Sequence, residues 1–242
     1  MPDTTEPRGG FWGELPVHER AALLVAGSWV TFQPNVTLFF QGDASDRVLI
    51  IWSGYAKVLS RDHTGHAVLL AFRGPGDVVG ELAMVDGGQR SATVVAIEPG
   101  RALMVEAGAF RGFLGRFAHA SAVLQRVLVE RLREADRQRL KSASMAVGQR
   151  LAMLLLELAS RFGAVEGGGT RIGLALSQED LAACVGASRR AVAREIESWR
   201  DRGYVVTGRR SLLIQQPSAL QRIAGIRGPG NGGPPRHVGP GR

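Results

Sequence analysis

The sequence predicts an α+β protein: an N-terminal antiparallel β-roll of the jelly-roll type, a long helix, and a C-terminal winged helix-turn-helix. Three observations carry this. Between Trp29 and Val105, short β-branched and aromatic runs (WVTF, TLFF, RVLIIW, YAKVLS, AVLLAF, SATVVAI, ALMV) are separated by Gly, Pro, Asp and Ser turns. Residues 109–143 lack strong breakers apart from Gly112 and Gly115, and their apolar residues recur at helical spacing. The stretch LSQEDLAACVGASRRAVAREIESWRDRGYVV then reads as two helices across a glycine turn.

In chain order, residues 1–10 are expected to be disordered. A short amphipathic helix is expected around Glu14 to Leu24, with Pro16 in its first turn. The roll occupies 11–108. In the helix of 109–143, Leu114, Phe117, Leu124, Leu128, Leu132 and Ala135 form one apolar stripe. A long helix leaving a small roll has little of its own chain to pack on, so the stripe points to a homodimer, with an intramolecular seam as the alternative. After a bend near Ser142 to Gly148 a helix runs from Gln149 to Phe162, followed by GAVEGGGT, read as a polar turn. The winged helix-turn-helix fills 144–224, and the Gly/Pro/Arg-rich segment 225–242 lacks the apolar residues to order itself.

Composition narrows the function. With 242 residues, 45% of them hydrophobic and 21% charged, the chain can bury real cores. No run of about eighteen apolar residues and no apolar leader occurs, which predicts a cytoplasmic protein with no membrane partner. The single cysteine, Cys184, excludes an internal disulfide and argues against an iron–sulfur cluster or structural zinc. Five scattered histidines, of which only His63 and His66 are close, argue against haem or metal. No set of nucleophile, base and orienting group presents itself, so the chain does not read as an enzyme. Residues 1–143 carry 16 Lys and Arg against 15 Asp and Glu, whereas residues 144–242 carry 14 against 7. A near-neutral half joined to a basic half suits one module that meets a polyanion and another that does something else.

The basic half has the pattern for double-stranded DNA. Ser177 and Asp180 form a capping box for the first helix, Gly186 permits the turn, and Ser188 caps the second helix. Val192, Ile196 and Trp199 point inward, while Arg189, Arg190 and Arg194 crowd the start of the second helix, where side chains enter a major groove. TGRRSLLI follows as a hairpin with Arg209 and Arg210 at its tip. The DNA-contacting set is therefore Ser177, Gln178, Ser188, Arg189, Arg190, Arg194, Arg209 and Arg210; the competing reading is a helical hairpin with a solvated basic face.

The roll contains GELAMVDGGQRSA, residues 80–92. A short helix starting at Gly80 would aim the backbone N–H groups of Glu81, Leu82 and Ala83 at an anion. Arg90 supplies a guanidinium fork, Ser91 a hydroxyl, and Glu81 an acceptor suited to a ribose hydroxyl. Pairing of Glu81 with Arg90 across a purely structural loop is the alternative.

With QGD (Gln41 to Asp43), GPGD (Gly74 to Asp77), GEL (Gly80 to Leu82), RSA (Arg90 to Ala92) and GASR (Gly186 to Arg189), the chain resembles the CRP/FNR family of bacterial regulators from about Phe11 to Ile223. The resemblance implies a homodimeric transcription regulator whose roll holds cyclic AMP or cyclic GMP, with RNA polymerase as a candidate further partner. It implies that Gly80, Glu81, Leu82, Ala83, Arg90 and Ser91 hold phosphate and ribose, and that the long helix selects the base through Glu134 and Ala135. Two departures stand out. Cyclic-AMP-responsive relatives place hydroxyl residues where this chain has Glu134 and Ala135; a carboxylate could accept one hydrogen bond from the amine of adenine or two from guanine, which would tilt selectivity toward cyclic GMP or relax it, with a solvated helix residue as the alternative. Arg190 stands where relatives reading TGTGA-type half-sites commonly have Glu, so a different operator is expected. The alternative function is a regulator of the same fold that is ligand-independent or senses another effector.

Overall fold

The computed structural model describes residues 6–44, 46–61, 67–174, 176–208 and 211–226. The expectations for Arg209, Arg210, His63, His66 and the segment 227–242 lie outside the described residues. Two short helices open the chain, α1 (Gly10–Glu14) and α2 (Val17–Ala26). They replace the single helix expected around Glu14 to Leu24, because a residue before proline is driven out of the helical region: Leu15 is extended and Pro16 becomes the N-cap of α2. Order also begins before residue 11. The Trp12 indole donates to Glu6 Oε1 at 2.9 Å, and Arg20 pairs with the same carboxylate at 3.2 Å.

The roll consists of β1 (Gly27–Phe32), β2 (Thr37–Phe39), β3 (Arg47–Ser53), β4 (Ala56–Arg61), β5 (Ala67–Arg73), β6 (Val78–Val79), the helical turn α3 (Glu81–Asp86), β7 (Thr93–Ala96) and β8 (Gly100–Glu106). Two four-stranded antiparallel sheets, β1-β8-β3-β6 and β2-β7-β4-β5, share one core. The unbroken apolar run of β3 is what a strand covered on both faces needs. Leu49 and Ile51 fill the roll interior, while Val48, Ile50 and Trp52 meet Phe11, Trp12 and Leu23 of the opening helices.

The long helix is interrupted once. Instead of one helix over 109–143 there are α4 (Ala107–Arg116) and α5 (Ala118–Ser144), joined at Phe117. Phe117 leaves helical geometry at φ −115° and ψ 92°, and its ring settles 5.1 Å from that of Phe113. The start of α5 buries Ala120, Val123, Leu124 and Val127 against the opening helices; beyond that its apolar residues emerge into solvent.

The C-terminal module comprises α6 (Val147–Phe162), β9 (Gly163–Glu166), β10 (Gly169–Ile172), α7 (Gln178–Val185), α8 (Arg189–Asp201), β11 (Val205–Gly208), β12 (Ser211–Ile214) and α9 (Pro217–Ile223). GAVEGGGT is thus not merely a turn. It forms most of a second hairpin, and β10 pairs with β12 to complete a four-stranded sheet β11-β12-β10-β9.

The module docks on the roll. Its core of Leu151, Leu155, Leu158, Leu181, Val192, Ile196 and Trp199 is continuous with Leu69, Phe72 and Ile97 of the roll, and the Tyr55 and Phe162 rings meet edge to face at 4.8 Å. Lys57 Nζ lies 2.5 Å from Asp180 Oδ1. Burial alone would raise the Asp180 pKa, but hydrogen bonds from Lys57 and Ser177 outweigh it and hold the carboxyl below its usual range. A depressed carboxyl pKa stabilises the fold above the unfolded value of about 4, and that stability is lost as pH falls through the folded value. Asp180→Asn is accordingly expected to cost about 1 kcal/mol at pH 7. Thermal unfolding of variant and wild type should converge below about pH 4; a constant gap across the range would show that charge at Asp180 does not matter.

Candidate nucleotide cavity and DNA interface

A cavity of about 870 Å³ opens beside α3, with Phe39, Val58, Val79 and Val94 among its apolar walls. All eight residues expected to hold ligand line it: Gly80, Glu81, Leu82, Ala83, Arg90, Ser91, Glu134 and Ala135. Two further boundaries were not anticipated. Ala183, Cys184 and Gly186 of the helix-turn-helix close one side, and Arg73 and Arg131 bring two more cations to the wall.

Gly80 caps α3 in the left-handed region at φ 84°. A Cβ there would lie 2.5 Å from Arg90 Nη1 and 2.9 Å from the Phe39 ring, so glycine is required for Arg90 to reach the turn. Arg90 is buried, stacks over Phe39 at 3.9 Å and donates to the carbonyls of Gly80 at 2.8 Å and Arg47 at 2.6 Å. Burial lowers its pKa, Asp46 opposes the shift, and Arg47 adds to it.

Glu81 is also buried, but its partner is not Arg90. Arg131 Nη1 donates to Glu81 Oε1 at 2.5 Å, and Arg131 Nη2 donates to the Val78 carbonyl at 2.9 Å. The loop-pairing alternative therefore names the wrong partner. Arg131 was the residue that sequence reasoning missed, and its signal was available: it lies three residues after Leu128 and seven after Leu124, a cation set into the apolar stripe. Cys184 faces the same cavity with its thiol pKa pushed up by burial, which makes it a neutral wall residue. Among the described residues no group of three or more His, Cys, Asp and Glu could hold a metal ion.

Within the C-terminal module, the helix-turn-helix has the expected geometry. The Ser177 hydroxyl accepts from Asp180 N at 3.1 Å and donates to Asp180 Oδ2 at 2.8 Å. Ser177 is therefore committed to capping α7, whereas Gln178 next to it is exposed. Gly186 sits at φ 59° in the turn, and Ser188 caps α8 by accepting from Ala191 N at 3.2 Å. Val192, Ile196 and Trp199 are buried; Arg189, Arg190 and Arg194 are exposed, with no ion pair among the described residues. The inward and outward faces are those required of a recognition helix.

Comparison with known proteins identifies both modules. Residues 29–117 match the cyclic nucleotide-binding domain, and residues 149–223 match the Crp-like helix-turn-helix domain. The CRP-like cAMP-activated global transcriptional regulator of Mycobacterium tuberculosis is 35% identical over 217 residues, covering 90% of this chain and 97% of that protein. The chain belongs to the CRP/FNR family of transcription regulators. Another member of the CRP/FNR family, the cyclic AMP receptor protein of Thermus thermophilus, is 28% identical over 187 residues, covering 77% of this chain and 83% of its own. The crystal structure of a CRP-family regulator from Thermus thermophilus superposes with a TM-score of 0.71 at 22% identity, covering 81% of this chain and 96% of that one, a likeness of fold. As a CRP/FNR regulator the chain joins a cyclic nucleotide-binding domain to a DNA-binding helix-turn-helix. Among the described residues no helix is long and apolar enough to cross a membrane.

Proposed function

We propose that the protein is a cytoplasmic homodimer whose grip on operator DNA is set by a cyclic nucleotide, cyclic AMP or cyclic GMP, in the roll cavity. One observation carries this reading. The cavity of about 870 Å³ is bounded at once by the phosphate-type turn at Gly80 to Ala83, by α5 and by α7, so its occupant would touch sensor, dimer helix and DNA-binding module together. A ligand switches the protein only if it favours one arrangement of these elements. The switched state would present two α8 helices to major grooves about 34 Å apart, where RNA polymerase is the natural further partner of a regulator. The work is regulation and not catalysis.

Thermal unfolding with each nucleotide tests the reading. At a hundred times its dissociation constant a ligand should stabilise by about 2.7 kcal/mol. A second reading, a regulator of the same fold that is ligand-independent or answers another effector, draws on the internal satisfaction of the site: Glu81 is held by Arg131, and Arg90 by two carbonyls. No shift with either nucleotide, together with intact DNA binding by Arg90→Ala, would establish that reading instead.

Arg190 also sets an expectation for the operator. An arginine donates to guanine or phosphate, whereas glutamate accepts from cytosine. Selection of binding sites from random duplexes should return a half-site differing from TGTGA, and Arg190→Glu should move it towards TGTGA by about 1–3 kcal/mol of discrimination. Unchanged TGTGA half-sites for the wild type would refute this assignment.

A further inference from the structure

We infer that Arg73 is a specificity-determining residue of the nucleotide cavity: its guanidinium donates to O6 and N7 of a guanine base while Glu134 accepts from the ring N1–H and the 2-amino group, so that the effector is cyclic GMP. The inference rests on the cyclic-nucleotide reading above and deepens it.

Arg73 ends an otherwise apolar strand, AVLLAFR. It lines the main cavity, and it lines a smaller adjoining one of about 310 Å³ between the roll and the C-terminal module; Glu134 lines both as well. The guanidinium is half-buried, and its hydrogen bond at 2.9 Å goes to the carbonyl of its own neighbour, Phe72. Burial and the charge of Arg131 push its pKa down to about 10, while Asp77, Glu81 and Glu134 act in the opposite direction. It remains a cation at neutral pH.

Of those three carboxylates, two are already engaged. Glu81 is bound by Arg131 at 2.5 Å, and Asp77 Oδ2 accepts from Gly74 N at 2.9 Å with Arg131 3.8 Å from its other oxygen. Glu134 has neither a hydrogen bond nor an ion pair among the described residues. The cavity wall therefore holds one cationic donor and one anionic acceptor close enough to influence each other and not closed into a pair.

Their place along the cavity says which part of a nucleotide they would meet. Arg90, Glu81, Arg73 and Glu134 all line the main cavity, but of the four only Arg73 and Glu134 also line the adjoining one. Arg73 and Glu134 thus mark the side towards the adjoining cavity, away from Arg90 and its anchor at Gly80. With phosphate at Arg90 and ribose at Glu81, Arg73 and Glu134 fall to the base. Guanine presents acceptors at O6 and N7 beside donors at N1 and the 2-amino group, which is the complement of Arg next to Glu. Adenine would set its 6-amino group, a donor, against the guanidinium and leave buried polar groups unpaired.

The test is calorimetric titration of the full chain with cyclic GMP, cyclic IMP and cyclic AMP. Inosine keeps O6, N7 and N1–H and lacks the 2-amino group, so it retains the Arg73 contact and removes one of the two Glu134 contacts without a mutation, which keeps the test valid should a variant fail to fold. The expected order is cyclic GMP, then cyclic IMP, then cyclic AMP, with at least about tenfold between the first and last. Arg73→Met should weaken cyclic GMP and cyclic IMP by about 10- to 100-fold and change cyclic AMP by less than about threefold. Binding of cyclic AMP as tight as that of cyclic GMP, or an Arg73→Met variant that weakens all three alike, would overturn the assignment and leave the cyclic-nucleotide reading standing. Absence of binding by any of the three overturns both.

Discussion

Arg90→Ala is expected to remove nucleotide-induced stabilisation and also to weaken the unliganded roll. The two effects have separate causes. A hydrogen bond to a charged partner contributes about 1.5–3 kcal/mol, so loss of the phosphate contact should weaken binding by about 10- to 150-fold. Even without ligand, Arg90 donates to the Gly80 and Arg47 carbonyls and stacks on Phe39 at 3.9 Å. Removing it leaves two buried acceptors short of a donor and a space beside Gly80, a cost of about 2–4 kcal/mol. Arg90→Lys separates the causes, because an ammonium keeps the charge and cannot serve both carbonyls as the planar fork does. Nucleotide titrations report the first effect and denaturant midpoints without ligand the second. If Arg90→Ala bound nucleotide like the wild type, the phosphate could not lie at Arg90.

The legibility of this fold varied with how local each signal was. The helix-turn-helix was readable because its determinants are neighbours in sequence: Ser177 caps through Asp180 three residues on, and Gly186 supplies its own positive φ. The eight cavity residues were readable for the same reason, most of them falling within thirteen positions. What escaped is long-range. Arg131 and Glu81 are 50 residues apart, and Lys57 and Asp180 are 123 apart, so neither pairing leaves a trace in spacing. The break at Phe117 was hidden because phenylalanine also suits a helical stripe; its packing against Phe113 decides the matter. The β9–β10 hairpin was hidden because its strands are almost bare of apolar residues. Val165 is 90% exposed, and pairing of β10 with β12 supplies the order that composition does not.

The proposed dimer should fail when charge is set into the outer stripe of α5. Val129 and Leu140 are 46% and 72% exposed on this chain, and with Leu132, at 61%, they follow one another at helical spacing along a single face. Large apolar side chains repeated along one helix face fit a two-chain coiled coil, in which each would be covered by its counterpart. Leu132 also lines the nucleotide cavity, so the decisive variant avoids it. Val129→Glu with Leu140→Glu places like charges across the axis at two levels about three turns apart while leaving the cavity wall intact. Sedimentation should then report a monomer that still takes up nucleotide. Because a dimer engages its second half-site at high effective concentration, operator affinity should fall by about 10²- to 10⁴-fold, with the weak grip of a single α8 remaining. A doubly substituted protein that stays dimeric and binds a full operator as before would place the interface elsewhere, and α5 would then serve only as the wall between nucleotide and DNA-binding module.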